Sequence, residues 1–240
     1  MHRFAIATLA VALLGGCEDA ATEQRIADLE ARVEALAKGA PAQAPAAAAS
    51  PEQEKAAADV LRAVNASLDA GNVDQAKLKI AELETKHAGT RAFRASQRVR
   101  EEMAVVGKDA VPFDVERWFQ GSAADADAKA TLVVFWETWC PHCKREVPKL
   151  EAIHDKYDGK GFSVVGVTRM SRGVTEEQVT DFLRDNGVSY PVAYESSGTL
   201  SKAYGIRGIP AAVVLKGDKV VWRGHPARVD DAMIERWLGS

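Results

Sequence analysis

The chain has 240 residues with 31 Lys and Arg against 34 Asp and Glu, a formal net charge of -3. A near-neutral balance carries no electrostatic footprint of a nucleic-acid partner, and 47% hydrophobic with 27% charged residues is the composition of a globular protein. The aromatic anchors of a core are confined to the second half, because all five tryptophans lie at or beyond Trp118.

His2 and Arg3 make a short basic region, followed by an uncharged run from Phe4 to Leu14. As a helix this run rises about 16 Å, half a bilayer core, so it suits the apolar part of a signal peptide rather than a membrane span. It ends Leu14-Gly15-Gly16-Cys17, which resembles the lipobox of bacterial lipoproteins. The resemblance implies cleavage after residue 16 and lipid attachment at Cys17; an ordinary signal peptide that happens to contain a cysteine is the alternative. Both place the mature chain outside the cytoplasm, where disulfides persist, and the lipoprotein reading anchors it on the periplasmic side of a bacterial membrane.

Ile26, Leu29, Val33 and Leu36 recur at the a and d positions of a heptad, with charges on the other face. Residues 17–38 therefore read as a lipid anchor and a short coiled-coil helix. Homo-oligomerisation through residues 22–38 and a monomeric amphipathic helix are equally open. Residues 39–51 are nearly all alanine and proline, a semi-extended linker that reaches about 40 Å at ~3.1 Å per residue.

Helical periodicity returns over residues 52–107. One helix is expected from about Glu52 to Ala70, stopped by Gly71-Asn72; a second runs to about His87. A third is expected from the N-cap Thr90 toward Val106. Leu68 to Ala76 resembles the turn of a tetratricopeptide hairpin. A single unit cannot stand alone, so a helical spacer docked on its neighbour is favoured over a dedicated docking surface.

The period then changes. Thr131 to Trp136 is a continuous apolar run, expected as a strand buried on both faces, and Phe162 to Val167 is a second. Between them lie Cys140-Pro141-His142-Cys143 and a helical run from Lys144 to Tyr157, making a strand–helix–strand unit. Cysteines three apart in a first helical turn lie on one face within reach of a disulfide. The unpaired N–H groups and the dipole of a helix start favour the Cys140 thiolate, and Pro141 suits the first turn.

Phe135-Trp136, Trp139-Cys140, Cys143, Glu146 and Pro148 resemble the pattern of the thioredoxin superfamily, in particular its TlpA-like periplasmic branch. Tyr204 to Pro210, followed by a strand Ala211–Leu215, resembles the superfamily's second hallmark. The likeness covers about residues 107–240 and implies an α/β, thioredoxin-like fold over 108–240, preceded by the α-helical stalk and spacer. It implies a helix over Val174–Asn186 and a short strand over Tyr190–Tyr194 as the branch's insertion. It further implies a thiol–disulfide oxidoreductase in which Cys140 attacks, Cys143 resolves, and Ile209 with a cis Pro210 binds the client strand. Trp139, Pro141 and His142 support the site.

No cofactor is implied beyond the cysteine pair. A zinc site drawing on His142, His154 and His225 lacks a further cysteine, and Lys144 after Cys143 excludes c-type haem attachment. Thioredoxin carries an aspartate where this chain has Val134; Glu146, which resembles a glutamate of the TlpA-like branch, is the candidate catalytic base for Cys143, with a surface helix charge as the alternative. Pro141-His142 resembles the oxidant DsbA, whereas the rest of the domain resembles TlpA-like reductases. Reductase is ranked first, DsbA- or DsbC-like oxidase or isomerase next, and a tethered redox-regulated holdase or scaffold is the non-enzymatic alternative. Expected partners are client proteins with disulfides or thiols and a membrane thiol electron donor or acceptor.

Overall fold

The computed structural model describes residues 49–122 and 128–239. The signal segment, Cys17, the coiled-coil helix of residues 17–38 and the linker up to residue 48 lie outside the described residues.

The helical segment begins one residue earlier than the periodicity implied. Ser50 caps α1 (Pro51–Asp69), its hydroxyl accepting the Gln53 N–H while the Gln53 side chain accepts the Ser50 N–H. Pro51 thus belongs to the helix, not the linker, because a first-turn proline needs no N–H partner. After the turn at Gly71, α2 (Val73–Lys86) returns along α1, with Val64, Leu68, Ala76, Ile80 and Leu83 buried between them.

The expected third helix is two short ones, α3 (Arg91–Ala95) and α4 (Gln97–Met103). Thr90 does cap α3, its hydroxyl 3.1 Å from the Phe93 nitrogen. The break falls at Ser96, whose hydroxyl donates to the Phe93 carbonyl at 2.7 Å and competes with the helix ladder.

Residues leaving α4 pair with the edge of the following domain. Gly107 N–H donates to the Val220 carbonyl at 2.7 Å, and Val220 N–H to the Lys108 carbonyl at 2.9 Å. The domain itself holds β1 (Arg117–Gln120), β2 (Ala130–Trp136), α5 (Pro141–Tyr157), β3 (Phe162–Thr168) and α6 (Glu176–Asp185). These are followed by β4 (Val192–Tyr194), α7 (Thr199–Ala203), β5 (Ala211–Lys216), β6 (Lys219–Gly224) and α8 (Asp231–Gly239). Strand β1 was not anticipated: four half-buried residues without alternation leave no periodic trace.

The sheet order is β1-β4-β3-β2-β5-β6, with β2, β3 and β4 parallel and β1, β5 and β6 antiparallel to their neighbours. Central β2 is buried along its whole length. Its side chains alternate between two cores, as a period of two requires. Leu132, Val134 and Trp136 pack with Val147 and Leu150 of α5, Val179 of α6 and Ile234 of α8. Val133 and Phe135 pack on the other face with Leu200 and Tyr204.

This mixed sheet covered by helices on both faces is the thioredoxin-like fold that the resemblance implies. Gly166 in β3 allows the close approach of Trp136: a Cβ there would lie 2.7 Å from the indole nitrogen.

Candidate active site

The site forms where β2 ends and α5 begins. Cys140 is the N-cap of α5, one position ahead of the expected first turn, and its sulfur accepts the Cys143 N–H at 3.2 Å. Pro141 occupies the first turn. Both thiols are free and buried, Cys140 being 3% and Cys143 1% exposed. A thiolate at Cys140 therefore gains a direct N–H partner and the positive end of the helix dipole.

Cys143 is different. Burial pushes its thiol well above the usual cysteine range, and a hydrogen bond with the Cys140 sulfur adds to the shift. The pair is thus divided into a sulfur that caps the helix start and a buried sulfur behind it whose thiol holds its proton.

The second hallmark meets the first. Ile209–Pro210 is a cis peptide, and the Ile209 carbonyl lies 3.9 Å from the Cys140 sulfur. His142 is exposed beside them, with Arg145 donating to its Nδ1. A groove of about 400 Å³ runs from His142 past Ile209 and Pro210 to His225.

Glu146 lies one turn along α5 from Cys143 and is 8% exposed, with Lys149 Nζ 3.1 Å from its Oε1. Trp139 is held from several sides. Its indole N–H faces Glu137 Oε2 at 2.6 Å and Ser171 Oγ at 2.9 Å, and the Arg172 guanidinium sits 3.6 Å over the ring. Glu137, Ser171 and Arg172 were not anticipated from sequence, since Ser171 reaches Glu137 across 34 positions. Arg172 has φ +57°, a left-handed conformation that costs a bulky residue about 1 kcal/mol.

The structure separates the three histidines that a zinc site would need. His142 and His225 line the groove, whereas His154 is packed against Tyr190 with ring centroids 6.2 Å apart. Among the described residues no group of three His, Cys, Asp or Glu side chains is arranged to hold a metal ion.

His225 was not anticipated as a groove residue. Its Nδ1 accepts the Ala227 N–H at 3.1 Å, which leaves the ring proton on Nε2. Burial holds its imidazole below the ordinary histidine value, against the opposing pull of Glu146. The unfolded ring therefore protonates first as pH falls, so stability tied to a neutral His225 is present above about pH 6.5 and lost below it. NMR titration of the His225 ring is expected to give a midpoint below about 6.5. A midpoint at or above that value would contradict the burial argument.

Residues 106–223 match the AhpC/TSA family. Among the chain's relatives, thiol-disulfide oxidoreductase ResA of Halalkalibacterium halodurans is 25% identical over 139 residues, 57% of this chain and 77% of the relative. Sporulation thiol-disulfide oxidoreductase A of Bacillus subtilis is 32% identical over 85 residues, 35% of this chain and 52% of its own length. Among solved structures, the thioredoxin domain of a thiol-disulfide oxidoreductase from Bacteroides vulgatus is 21% identical with a TM-score of 0.46. That match covers 55% of this chain and 97% of the other. The matched stretch of residues 106–223 holds the cysteine pair, Glu146, Ile209 and Pro210.

Proposed function

We propose that this chain is an extracytoplasmic thiol–disulfide oxidoreductase that reduces protein disulfides through Cys140 and Cys143. The observation that carries the reading is the pairing of a helix-capped Cys140 sulfur with the Ile209 carbonyl beside cis Pro210. A client strand lying along Ile209 brings its disulfide to the sulfur that caps α5 and accepts the Cys143 N–H.

The cycle balances without a cofactor. Cys140 thiolate attacks one client sulfur, the client S–S bond breaks, and the departing thiolate takes a proton. Cys143 then loses its proton and attacks the Cys140 sulfur of the mixed disulfide. The client leaves with two electrons and two protons, and Cys140–Cys143 becomes the disulfide. A membrane thiol donor returns the pair to the dithiol state.

The N-terminal pattern ending at Cys17 supports lipid anchoring on the periplasmic side, and the heptad over residues 22–38 supports association of chains. No helix among the described residues is long and apolar enough to cross a membrane. A second reading, oxidase, is favoured by His142, which lines the groove next to the nucleophile and resembles the DsbA arrangement.

One experiment tests the activity and its direction. Wild-type protein is expected to accelerate reduction of insulin disulfides by dithiothreitol, and equilibration against glutathione gives the potential. A value of about -270 mV supports the reductase and one of about -120 mV the oxidase. Absence of any turnover would favour the scaffold reading instead.

A further inference from the structure

The helical segment before the domain does more than separate it from its tether. We infer that α4 forms one wall of the client groove and that Glu102, acting through buried Arg223, is a positioning residue for the cis-proline loop. This rests on the oxidoreductase reading above.

The groove that holds Ile209, Pro210 and His142 is completed on its far side by Arg98, Glu101 and Glu102 of α4. These residues reach the loop through two ion pairs. Arg207, two positions before Ile209, places Nη1 2.8 Å from Glu101 Oε1. Arg223 at the end of β6 lies 3.9 Å from Glu102 Oε1.

Arg223 is the centre of the arrangement. It is 5% exposed, and Glu102 is 8% exposed. Its Nε donates to the Tyr204 carbonyl at 3.2 Å and Nη2 to the Gly205 carbonyl at 3.4 Å, the residues that lead into the loop. Nη1 donates to the Gly224 carbonyl at 3.3 Å, next to His225. One guanidinium thus ties the loop's entry to the end of β6.

Burial works against that charge, lowering the Arg223 pKa, and the Glu102 carboxylate is the group that opposes the shift. A buried cation without its anion is expensive, so removal of Glu102 forces Arg223 to move toward water and release the carbonyls it holds. The loop it holds is the one whose backbone faces Cys140. Arg98 also pairs with Glu102, at 3.0 Å, which fixes the carboxylate from the solvent side. The arrangement needs the helical segment in place, and the Gly107 to Val220 and Val220 to Lys108 hydrogen bonds hold it there.

The effect belongs to client binding and not to the sulfur chemistry, which gives the test its form. Glu102→Gln, Glu102→Asp and Glu101→Ala are compared with wild type in the full chain, with melting temperature followed throughout. Glu101→Ala serves as a second variant that leaves Arg223 paired. The substrates are an extended peptide carrying a disulfide and hydroxyethyl disulfide, which has no backbone to lie along Ile209.

Glu102→Gln is expected to raise KM for the peptide about fivefold with kcat little changed, and Glu101→Ala about twofold. The rate with hydroxyethyl disulfide should stay at the wild-type value, and Glu102→Asp should restore much of the peptide KM. Equal peptide KM in all variants would overturn the proposal. So would a parallel fall in both substrates that tracks the melting temperature, because that is a loss of folded protein. If wild type reduces neither substrate, the oxidoreductase reading itself fails and takes this proposal with it.

Discussion

Replacing Cys140 by serine is expected to lower disulfide turnover by about 10³-fold or more while leaving the fold intact. A serine hydroxyl at neutral pH is a far poorer nucleophile than a thiolate, and it cannot form the mixed disulfide. The substitution is conservative in every other respect. Cys140 caps α5 by accepting the Cys143 N–H, and serine is among the best residues for that role. Its melting temperature should therefore match or exceed that of the wild-type dithiol form.

Cys143→Ser should behave differently, since attack by Cys140 survives and resolution does not. Incubation with a client disulfide is expected to leave a covalent adduct at Cys140, visible by mass spectrometry without reductant. Insulin reduction that persists in Cys140→Ser would remove the proposed mechanism. An adduct on Cys143 in place of Cys140 would reverse the assignment of the two sulfurs.

The parts of this site that were legible in the sequence are those written locally. The apolar run of β2, the cysteine spacing at its end, and the Ile209-Pro210 pair before β5 each lie within a few residues, and the fold brings them together as expected. Helix and strand cores were placed closely for the same reason: Val64, Leu68, Ile80 and Leu83 recur at helical spacing and are packed between α1 and α2. What could not be read depends on contacts between distant positions. The clamp on Trp139 joins Glu137 to Ser171, and the wall of the groove joins Glu101 to Arg207 across 106 positions. Ser96 illustrates a different limit, because helical propensity does not reveal that its hydroxyl will take the Phe93 carbonyl and split one helix into two. Strand β1 is recruited by pairing with β4, not by any pattern of its own.

Glu146→Gln is expected to slow the resolving step by about 10²-fold at neutral pH, the usual contribution of a general base. The argument begins with Cys143, whose buried thiol sits above the ordinary cysteine range and must lose its proton before it can attack. Val134, where thioredoxin carries its aspartate, is fully buried among apolar neighbours shared with Cys143. The proton therefore needs another acceptor.

Glu137 is committed to the clamp on Trp139, its Oε2 accepting from the indole, from the Ser171 N–H and from the Ser171 hydroxyl. His225 carries its ring proton on Nε2 while Nδ1 is occupied by Ala227. Glu146 is one turn along α5 from Cys143 and shielded from solvent, and Lys149 holds one of its oxygens, leaving the other available. Glutamine keeps the size and the Lys149 contact but cannot take a proton. Stopped-flow measurement of mixed-disulfide decay separates this step from the initial attack, which should be unchanged. The difference between wild type and variant should narrow as pH rises, because hydroxide then removes the Cys143 proton without help. Equal decay rates at neutral pH would exclude Glu146 as the base and leave solvent as the acceptor of the Cys143 proton.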